Sequence, residues 1–214
     1  MINIKKFTFN LFNENTYLLW DDSTKDAAII DPGCHARSEE YELQNFIASS
    51  CLNLKYLINT HCHIDHILGC SFVKEKYNPL YLAPEKDIPL LVNVSQQAQM
   101  VGMDFSFSPL PDEYLTENTK IILGKTELIF LSTPGHTPGE FCVHILEEYI
   151  CFTGDVLFFD SIGRTDLWGG NYNTLMNSIS EKLLNLPSET VIYPGHGDQS
   201  TIGREKSLNP FLQG

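Results

Sequence analysis

Alternating apolar and polar positions along the chain predict a series of short β-strands separated by amphipathic helices. The strand-like runs are INIKKFTF, TYLLWD, DAAIID, KYLINT, PLYLAP, KIILGKTELIFLST with a turn at Gly124-Lys125, FCVHILEEYICFTGD and TVIYP. Three segments carry apolar residues at helical spacing: SEEYELQNFIASS, DHILGCSFVKEKY and NTLMNSISEKLLNLP. Strands and helices that interleave in this way are typical of an α/β fold.

The apolar spacing within each helical segment also predicts which residues face the core. In the first segment we expect Tyr41, Phe46 and Ile47 on the buried face. The buried residues expected in the other two segments are Ile67, Leu68, Phe72 and Val73, and then Leu175, Ile179, Leu183 and Leu184, with Pro187 ending the last helix.

Residues 83–118 carry the weakest pattern and predict a short helix followed by a loop. Long irregular connections are often functional or mobile. Met100, Met103, Phe105 and Phe107 either line a substrate groove or pack in the core, and core packing is the preferred interpretation. No linker, charge run or repeat interrupts the chain, so we expect one domain spanning residues 1–214.

Composition excludes several classes of partner. The chain has 14 basic and 27 acidic residues and a net charge of -13, which disfavours nucleic acid and anionic membranes. No apolar run approaches the roughly 20 residues of a membrane span, and no export signal is visible. The six cysteines form no CxxC pair. We therefore expect a cytoplasmic protein with reduced cysteines.

The stretch NTHCHIDHILGC carries the strongest chemical signal in the sequence. It places His61, His63, Asp65 and His66 within six positions, between a predicted strand and a predicted helix. Polar groups crowded against apolar neighbours need compensating partners when they are buried. A metal ion is the first candidate for that partner.

Three further polar residues follow hydrophobic strands and have glycine beside them. They are His136 in IFLSTPGHTPGE, Asp155 in ICFTGDVLF and His196 in VIYPGHGD. Each strand would deliver one ligand at its C-terminal end, where α/β sheets usually bind ligands. The combined set of histidines and aspartates contains no thiolate and suits zinc, manganese, iron or cobalt. It is too large for one tetrahedral ion and fits two ions that share a carboxylate.

Other residues near these motifs have different expected roles. His35 and His144 are expected to be non-ligands, and Cys62 is expected to pack away from the metals. Asp31 in AIIDPG is expected either to orient a ligand, because carboxylates commonly fix metal-bound histidine rings, or to form a turn, rather than to bind a metal itself. Arg164 in SIGRTDLWGG either binds a substrate carboxylate or forms a salt bridge with Asp166 nearby.

The motifs THCHIDH, PGHTPG, FTGD and PGHG together resemble those of the metallo-β-lactamase-fold hydrolases, in particular the glyoxalase II-like branch. The resemblance runs from IIDPG through GRTDLWGG to STIGREKSLNPF. It implies an α/β fold in the form of a four-layer αβ/βα sandwich. The metal ligands that it implies are His61, His63 and His136 for the first ion, Asp65, His66 and His196 for the second, and Asp155 between them.

The same resemblance implies a binuclear hydrolase that cleaves thioesters of the hydroxyacylglutathione type by attack of a metal-bridging hydroxide. Asp65 would then be the catalytic residue that orients this hydroxide. Two divalent ions are expected, with zinc first and iron or manganese as alternatives. Glyoxalase II proper has a C-terminal helical extension that helps to bind glutathione, and no match to it is visible in this sequence. The thiol of the substrate and the oligomeric state are therefore left open.

Two other functions compete with the hydrolase. An iron persulfide dioxygenase also shows HCHxDH and GRTD stretches and would bind one Fe²⁺ through His61, His136 and Asp155. The stretch YPGHGDQST argues for the hydrolase, because the dioxygenases carry alanine before that histidine. The third hypothesis is a non-catalytic metal-binding protein, against which the complete ligand set argues.

Overall fold

A computed structural model of the chain describes residues 1–213 and confirms the predicted α/β class. The contacts divide the chain into two units. The first contains Met1–Leu115 and Ile122–Thr126, and the second contains residues 116–121 and those from 127 onward. Each unit has a hydrophobic core of its own. The expectation of one domain over residues 1–214 stays a prediction.

The first unit is built on a six-stranded sheet with the order β1-β2-β3-β4-β5-β6. β1, β2 and β3 pair antiparallel, and β3 to β6 pair parallel. The bounds of these strands are β1 Ile2–Phe9, β2 Glu14–Asp21, β3 Asp26–Ile30, β4 Asn53–Ile58, β5 Leu80–Ala83 and β6 Glu113–Tyr114.

Its helices are α1 Arg37–Ser49, α2 Ile64–Ile67, α3 Cys70–Tyr77, α4 Ile88–Val92 and α5 Val94–Met100, with a 3-10 turn at Glu85–Asp87. The prediction for the buried face of α1 was wrong at Tyr41, which is 63% exposed, whereas Leu43 is buried together with Ile47. The side chain of Phe46 is partly buried against the core.

The single helix predicted for DHILGCSFVKEKY is divided into α2 and α3 at Gly69. The backbone N–H of Gly69 donates to the carbonyl of Pro32 at 2.7 Å. A Cβ at Gly69 would lie only 2.5 Å from the Sγ of Cys34. The helix is therefore interrupted by a close approach of another segment, which only glycine permits.

Residues 83–118 contain two short helices, α4 and α5, rather than the single helix that was predicted. Met103 and Phe105 pack against the core, as expected. Met100 and Phe107 do not, because their side chains are 79% and 65% exposed.

The second six-stranded sheet has the order β14-β13-β10-β9-β8-β7, and β11 and β12 form a separate hairpin. The bounds are β7 Ile121–Leu123, β8 Thr126–Ser132, β9 Phe141–Ile145, β10 Ile150–Gly154, β11 Leu157–Phe158, β12 Ser161–Ile162, β13 Val191–Pro194 and β14 Ser200–Thr201. The predicted turn before β8 is present, and Gly124 adopts a φ of 62° there.

Helical structure in the second unit begins with α6 Tyr172–Ser178, which continues as a π-helical turn at Ile179–Leu183. Of the residues predicted to be buried here, Leu175, Ile179 and Leu183 are fully buried and Leu184 is half-buried. The remaining helical elements are α7 Ile202–Leu208 and 3-10 turns at Leu146–Glu148 and Pro210–Leu212.

The direction of the strands places candidate ligands at common edges. In the second sheet β8 and β10 are both antiparallel to β9, and β13 is parallel to β10. β8, β10 and β13 therefore run the same way, and His136, Asp155 and His196 each lie beyond a C-terminal end. Across residues 1–213, no helix has the length and apolar character needed to cross a membrane.

Candidate metal centre

The first unit brings its candidate histidines together in the loop that joins β4 to α2 and in α2 itself. His61 and His66 are fully buried, and their ring centroids lie 4.1 Å apart. The ring of His63 lies 5.0 Å from that of His61. His63 is the residue immediately before α2, with extended backbone angles, so α2 begins directly after it.

Thr60 determines the tautomer of His61. The hydroxyl of Thr60 donates to Oδ2 of Asp31 at 2.6 Å and lies 3.1 Å from Nδ1 of His61. Because a hydroxyl has one proton and that proton goes to the carboxylate, Thr60 must accept from an N–H at Nδ1. The neutral ring then carries its basic lone pair on Nε2, which is the form that ligates a metal.

The carboxylate of Asp31 lies beside the ring of His66. Its Oδ2 lies 3.2 Å from Nδ1 of His66. Its Oδ1 accepts from the backbone N–H of Thr60 at 2.7 Å and from the amide of Asn59 at 3.2 Å. Asp31, His61 and His66 all have ligand-type atoms within 4.8 Å of one another. Asn59 and Thr60 therefore donate to both oxygens of Asp31, and its expected role in orienting a ligand stays a prediction.

A second buried carboxylate, that of Glu14, was missed by the sequence analysis. Its Oε1 lies 4.0 Å from Nδ1 of His66, and its Oε2 accepts from the hydroxyl of Thr16 at 2.9 Å. Burial raises the pKa of Glu14 well above its usual value, and the nearby charge of His66 opposes that shift. The only signal in the sequence is an acidic residue at the start of an otherwise buried strand, ENTYLLWD.

Asp65 lies beside His66 and is anchored through its backbone. Its Oδ2 is 3.7 Å from Nε2 of His66. The side-chain amide of Asn10 donates to the carbonyl of Asp65 at 3.0 Å and to that of Gly33 at 3.0 Å. The first unit thus holds all of its predicted ligands within one short segment, which is contacted by the β1–β2 connection, β2 and the β3–α1 loop.

The second unit brings together its own three candidates around one carboxylate oxygen. Oδ2 of Asp155 lies 3.5 Å from Nε2 of His136 and 3.7 Å from Nε2 of His196. Nδ1 of His136 donates to the backbone carbonyl of Arg164 at 2.7 Å. This bond again leaves Nε2 as the ligating nitrogen. A carboxylate oxygen between two imidazoles is the arrangement expected of a group shared by two ions.

Asp155 is held by a buried glutamate and a close glycine, neither of which the sequence analysis identified. Oε1 of the fully buried Glu140 accepts from the backbone N–H of Asp155 at 2.7 Å. A Cβ at Gly163 would lie 1.9 Å from the carbonyl oxygen of Asp155. The glycine of GRTD therefore permits the loop to approach the ligand backbone.

The side chain of Arg164 points to its neighbour. Its Nε and Nη2 donate to the two carboxylate oxygens of Asp166 at 2.7 and 2.9 Å. Both side chains are more than half exposed. The salt bridge that the sequence analysis offered as one interpretation is therefore present, and it is the backbone of Arg164 that contacts His136.

The residues expected to lie outside the ligand set occupy other environments. His144 is buried in β9, and burial lowers its pKa. His35 is exposed, with its ring 5.9 Å from that of Phe105. Cys62 belongs to the hydrophobic core of the first unit, as predicted.

The donors in each unit fit a divalent metal. They are imidazole nitrogens together with carboxylate oxygens, and hydrogen bonds to oxygen fix the tautomers of His61 and His136. His61, His66 and His136 are almost completely buried. Such nitrogen and oxygen donors suit zinc, manganese or iron rather than a structural zinc site rich in cysteine. The hydrogen bonds to Nδ1 are the supports that metal-ligating histidines require.

Comparison with known proteins agrees with these features. The family model of the metallo-beta-lactamase superfamily matches residues 10–196. The hydroxyacylglutathione hydrolase GloC of Haemophilus influenzae is 40% identical over 213 residues, covering 99% of this chain and 98% of GloC. The mitochondrial persulfide dioxygenase ETHE1 of Mus musculus is 33% identical over 201 residues, covering 92% of this chain and 70% of that protein.

Solved structures resemble the chain over almost its whole length. The BLEG-1 B3 metallo-beta-lactamase matches with a TM-score of 0.89 and 32% identity, covering 99% of this chain and all of that one. TTHA1623 in a di-iron-bound form matches with a TM-score of 0.86 and 32% identity, covering 97% of this chain and 100% of that one. The fold class and the family resemblance drawn from the motifs are both confirmed. The chain belongs to the metallo-β-lactamase superfamily.

Proposed function

We propose that this protein is a binuclear metal-dependent thioester hydrolase in which residues 1–214 work as one domain. The first ion would be held by His61, His63 and His136, and the second by Asp65, His66 and His196. Asp155 would bridge the two. Zinc is the first choice of metal, and iron is the alternative because a related structure is of a di-iron-bound form.

The observation that carries this proposal is the position of Asp155 between two histidines. One oxygen of its carboxylate lies within 3.7 Å of Nε2 of both His136 and His196. Three histidines and one aspartate of the THCHIDH motif supply the remaining donors. Seven nitrogen and oxygen donors suit two ions that share a carboxylate, which is the arrangement of two-metal hydrolases.

When bound, two divalent ions supply a Lewis acid for a carbonyl oxygen and make water a nucleophile near neutral pH. The chain's own residues set the geometry for that chemistry. Thr60 fixes the ring of His61 through Nδ1, and the carboxylate of Asp31 lies 3.2 Å from Nδ1 of His66. Asp65 offers a partly exposed carboxylate beside them, which would orient the attacking water and accept its proton.

The substrate class rests on the relatives and on leaving-group chemistry. A thiolate leaves without needing a proton donor, so a site built only of metal ligands and carboxylates suits thioesters. GloC, to which this chain is similar over nearly its full length, is named as a hydroxyacylglutathione hydrolase. We propose a thioester of that type as the substrate. The six free thiols support a cytoplasmic location.

A persulfide dioxygenase is the second candidate, and the similarity to ETHE1 favours it. In that case His61, His136 and Asp155 would hold one iron, which matches the two-histidine, one-carboxylate site of non-haem oxygenases. The remaining donors, His63, Asp65, His66 and His196, would then have no role as ligands.

The test is a paired assay on protein loaded separately with Zn²⁺ and with Fe²⁺. S-lactoylglutathione hydrolysis is followed by release of thiol, and oxygen uptake is followed with glutathione persulfide. We expect thiol release with zinc and no oxygen uptake with iron. Oxygen consumption by the iron form together with no thioester turnover would overturn the hydrolase proposal, and inactivity in both assays would overturn both candidates.

A further inference from the structure

The side chain of Gln97 contacts the backbone on both sides of His63. Its Oε1 accepts from the N–H of Ile64 at 3.0 Å, and its Nε2 donates to the carbonyl of Cys62 at 3.2 Å. Nε2 also donates to the carbonyl of Leu90 at 2.9 Å. Gln97 lies in α5, within the 83–118 segment to which the sequence assigned no role.

The two bonds fix the backbone conformation of His63. The carbonyl of Cys62 belongs to the peptide group before His63, and the N–H of Ile64 belongs to the peptide group after it. Holding both peptide planes fixes the two rotations, φ and ψ, that lie between them. His63 has φ of -66° and ψ of 152°, and these angles determine where its ring can reach.

The amide of Gln97 also completes the start of α2. The first N–H groups of a helix lack partners within the helix. No side chain caps α2 from the preceding residue, His63, and Gln97 supplies an acceptor from a different helix. These partners also determine which end of the Gln97 amide is oxygen and which is nitrogen. In the reversed orientation the amide nitrogen would face the N–H of Ile64, and the amide oxygen would face the carbonyls of Cys62 and Leu90.

The helix that carries Gln97 packs in the hydrophobic core of the first unit. Its neighbours in α5, Val94 and Ala98, are buried in the hydrophobic core of the first unit, which also contains Cys62 and Ile64. Gln97 itself is half-buried. α5 and the loop that carries His63 therefore pack in the same core, and the hydrogen bonds of the Gln97 amide hold the loop against the helix.

We propose that Gln97 is a positioning residue for the metal centre, which holds His63 in its ligating conformation by clamping the peptide groups on either side of it. This inference rests on the proposed function, because it takes His63 as a ligand. It assigns to α5 the role of a support for the ligand loop.

The test uses Co²⁺ as the metal probe with the full chain, because Co²⁺ reports ligand geometry in its visible absorption. Gln97→Met keeps the length of the side chain and removes all three hydrogen bonds. Gln97→Glu keeps the acceptor for Ile64 and places an oxygen against the carbonyls of Cys62 and Leu90. The matched control is Gln96→Met, since Gln96 is the exposed neighbour in the same helix.

We expect Gln97→Met to weaken Co²⁺ binding by about tenfold, at the lower end of the effect of outer supports of metal ligands. We also expect it to alter the visible spectrum, with Gln97→Glu intermediate and Gln96→Met unchanged. Unfolding of the metal-free proteins is measured in parallel. A role confined to stability would lower the unfolding midpoint and leave the spectrum and the affinity of the folded protein as in the wild type.

The outcomes separate the two proposals. Wild-type affinity and spectrum in Gln97→Met would overturn the positioning role while leaving the hydrolase proposal intact. Wild-type protein that binds Co²⁺ but hydrolyses no thioester would overturn the substrate assignment, and the effect of Gln97→Met on the spectrum would still support the clamp. Wild-type protein that binds no Co²⁺ would overturn both. If Gln97→Met does not fold, Gln97→Glu carries the test.

Discussion

Replacing Thr60 by valine removes one hydroxyl from the centre of the first ligand set and preserves the shape of the side chain. Thr60 is fully buried, and its hydroxyl donates to Asp31 at 2.6 Å while lying 3.1 Å from Nδ1 of His61. In Thr60→Val the N–H at Nδ1 of His61 loses its acceptor. Asp31 keeps the donors from the side chain of Asn59 and from the backbone of residue 60.

The magnitude follows from these contacts. A hydrogen bond to a charged acceptor contributes about 1.5–3 kcal/mol, and a buried donor left without a partner costs about 1–3 kcal/mol. Because Asp31 retains other donors, we expect the free energy of unfolding of the metal-free protein to fall by about 3 kcal/mol. For a chain of this size that corresponds to roughly 6–12 °C in melting temperature.

The assay is urea unfolding of metal-free protein, combined with nitrogen-15 NMR of the histidine rings to read the tautomer of His61. Thr60→Ser is the matched control, because it keeps the hydroxyl and should keep the Nδ1–H tautomer. Thr60→Val should lose stability and populate the Nε2–H form of His61. Equal stability and the same tautomer in the two variants would refute the assignment of Thr60 as the acceptor that fixes His61.

Three further predictions concern the second unit and a buried carboxylate. Asp155→Ala should abolish turnover and lower the metal content measured by elemental mass spectrometry, whereas His144→Ala should do neither; full metal and rate in Asp155→Ala would contradict the bridging role. Gly163→Ala should sharply lower metal content, because the added Cβ would lie 1.9 Å from the carbonyl oxygen of Asp155, and wild-type metal content would show that the loop relaxes. Because the pKa of Glu14 is higher in the folded than in the unfolded protein, its protonation stabilises the fold at pH values below the unfolded pKa of about 4.5. This contribution is lost as pH rises through the pKa of Glu14 in the folded protein. Glu14→Gln should therefore gain stability over the metal-free wild type toward alkaline pH in urea unfolding, and a pH-independent difference would contradict that account.

The elements that the sequence predicted well are those whose burial follows from local periodicity. The run INIKKFTF forms a strand, as its alternation predicted. The motif THCHIDH follows the strand β4, as the apolar run KYLINT predicted. Alternation identifies a strand because its side chains point to opposite faces by covalent geometry alone.

The features that the sequence could not reveal depend on contacts between distant segments. The helix predicted over DHILGCSFVKEKY is interrupted because Gly69 approaches Pro32 and Cys34, which are far away in the chain. Tyr41 was assigned to the buried face of α1 because its spacing from Phe46 and Ile47 is compatible with one apolar face, although Leu43 takes that place. Periodicity shows which face of a helix is the most apolar, but it does not show which face another element covers.

The supports of the ligands follow the same rule. Histidine and aspartate at motif spacing predict the ligands themselves. Glu140 and Gln97 contact the ligand segments from positions 15 residues and 33 residues away in the chain, with no spacing that marks them. Residues of this kind become visible only when the backbone groups they satisfy are known.

In the proposed centre, two metal ions would be held by His61, His63, Asp65, His66, His136, Asp155 and His196. Their number can be measured by elemental mass spectrometry on untagged protein prepared without chelator and then reconstituted. We expect about two divalent ions per chain, as in two-metal hydrolases. One iron per chain would contradict it in favour of the dioxygenase, and the absence of bound metal after reconstitution would contradict both.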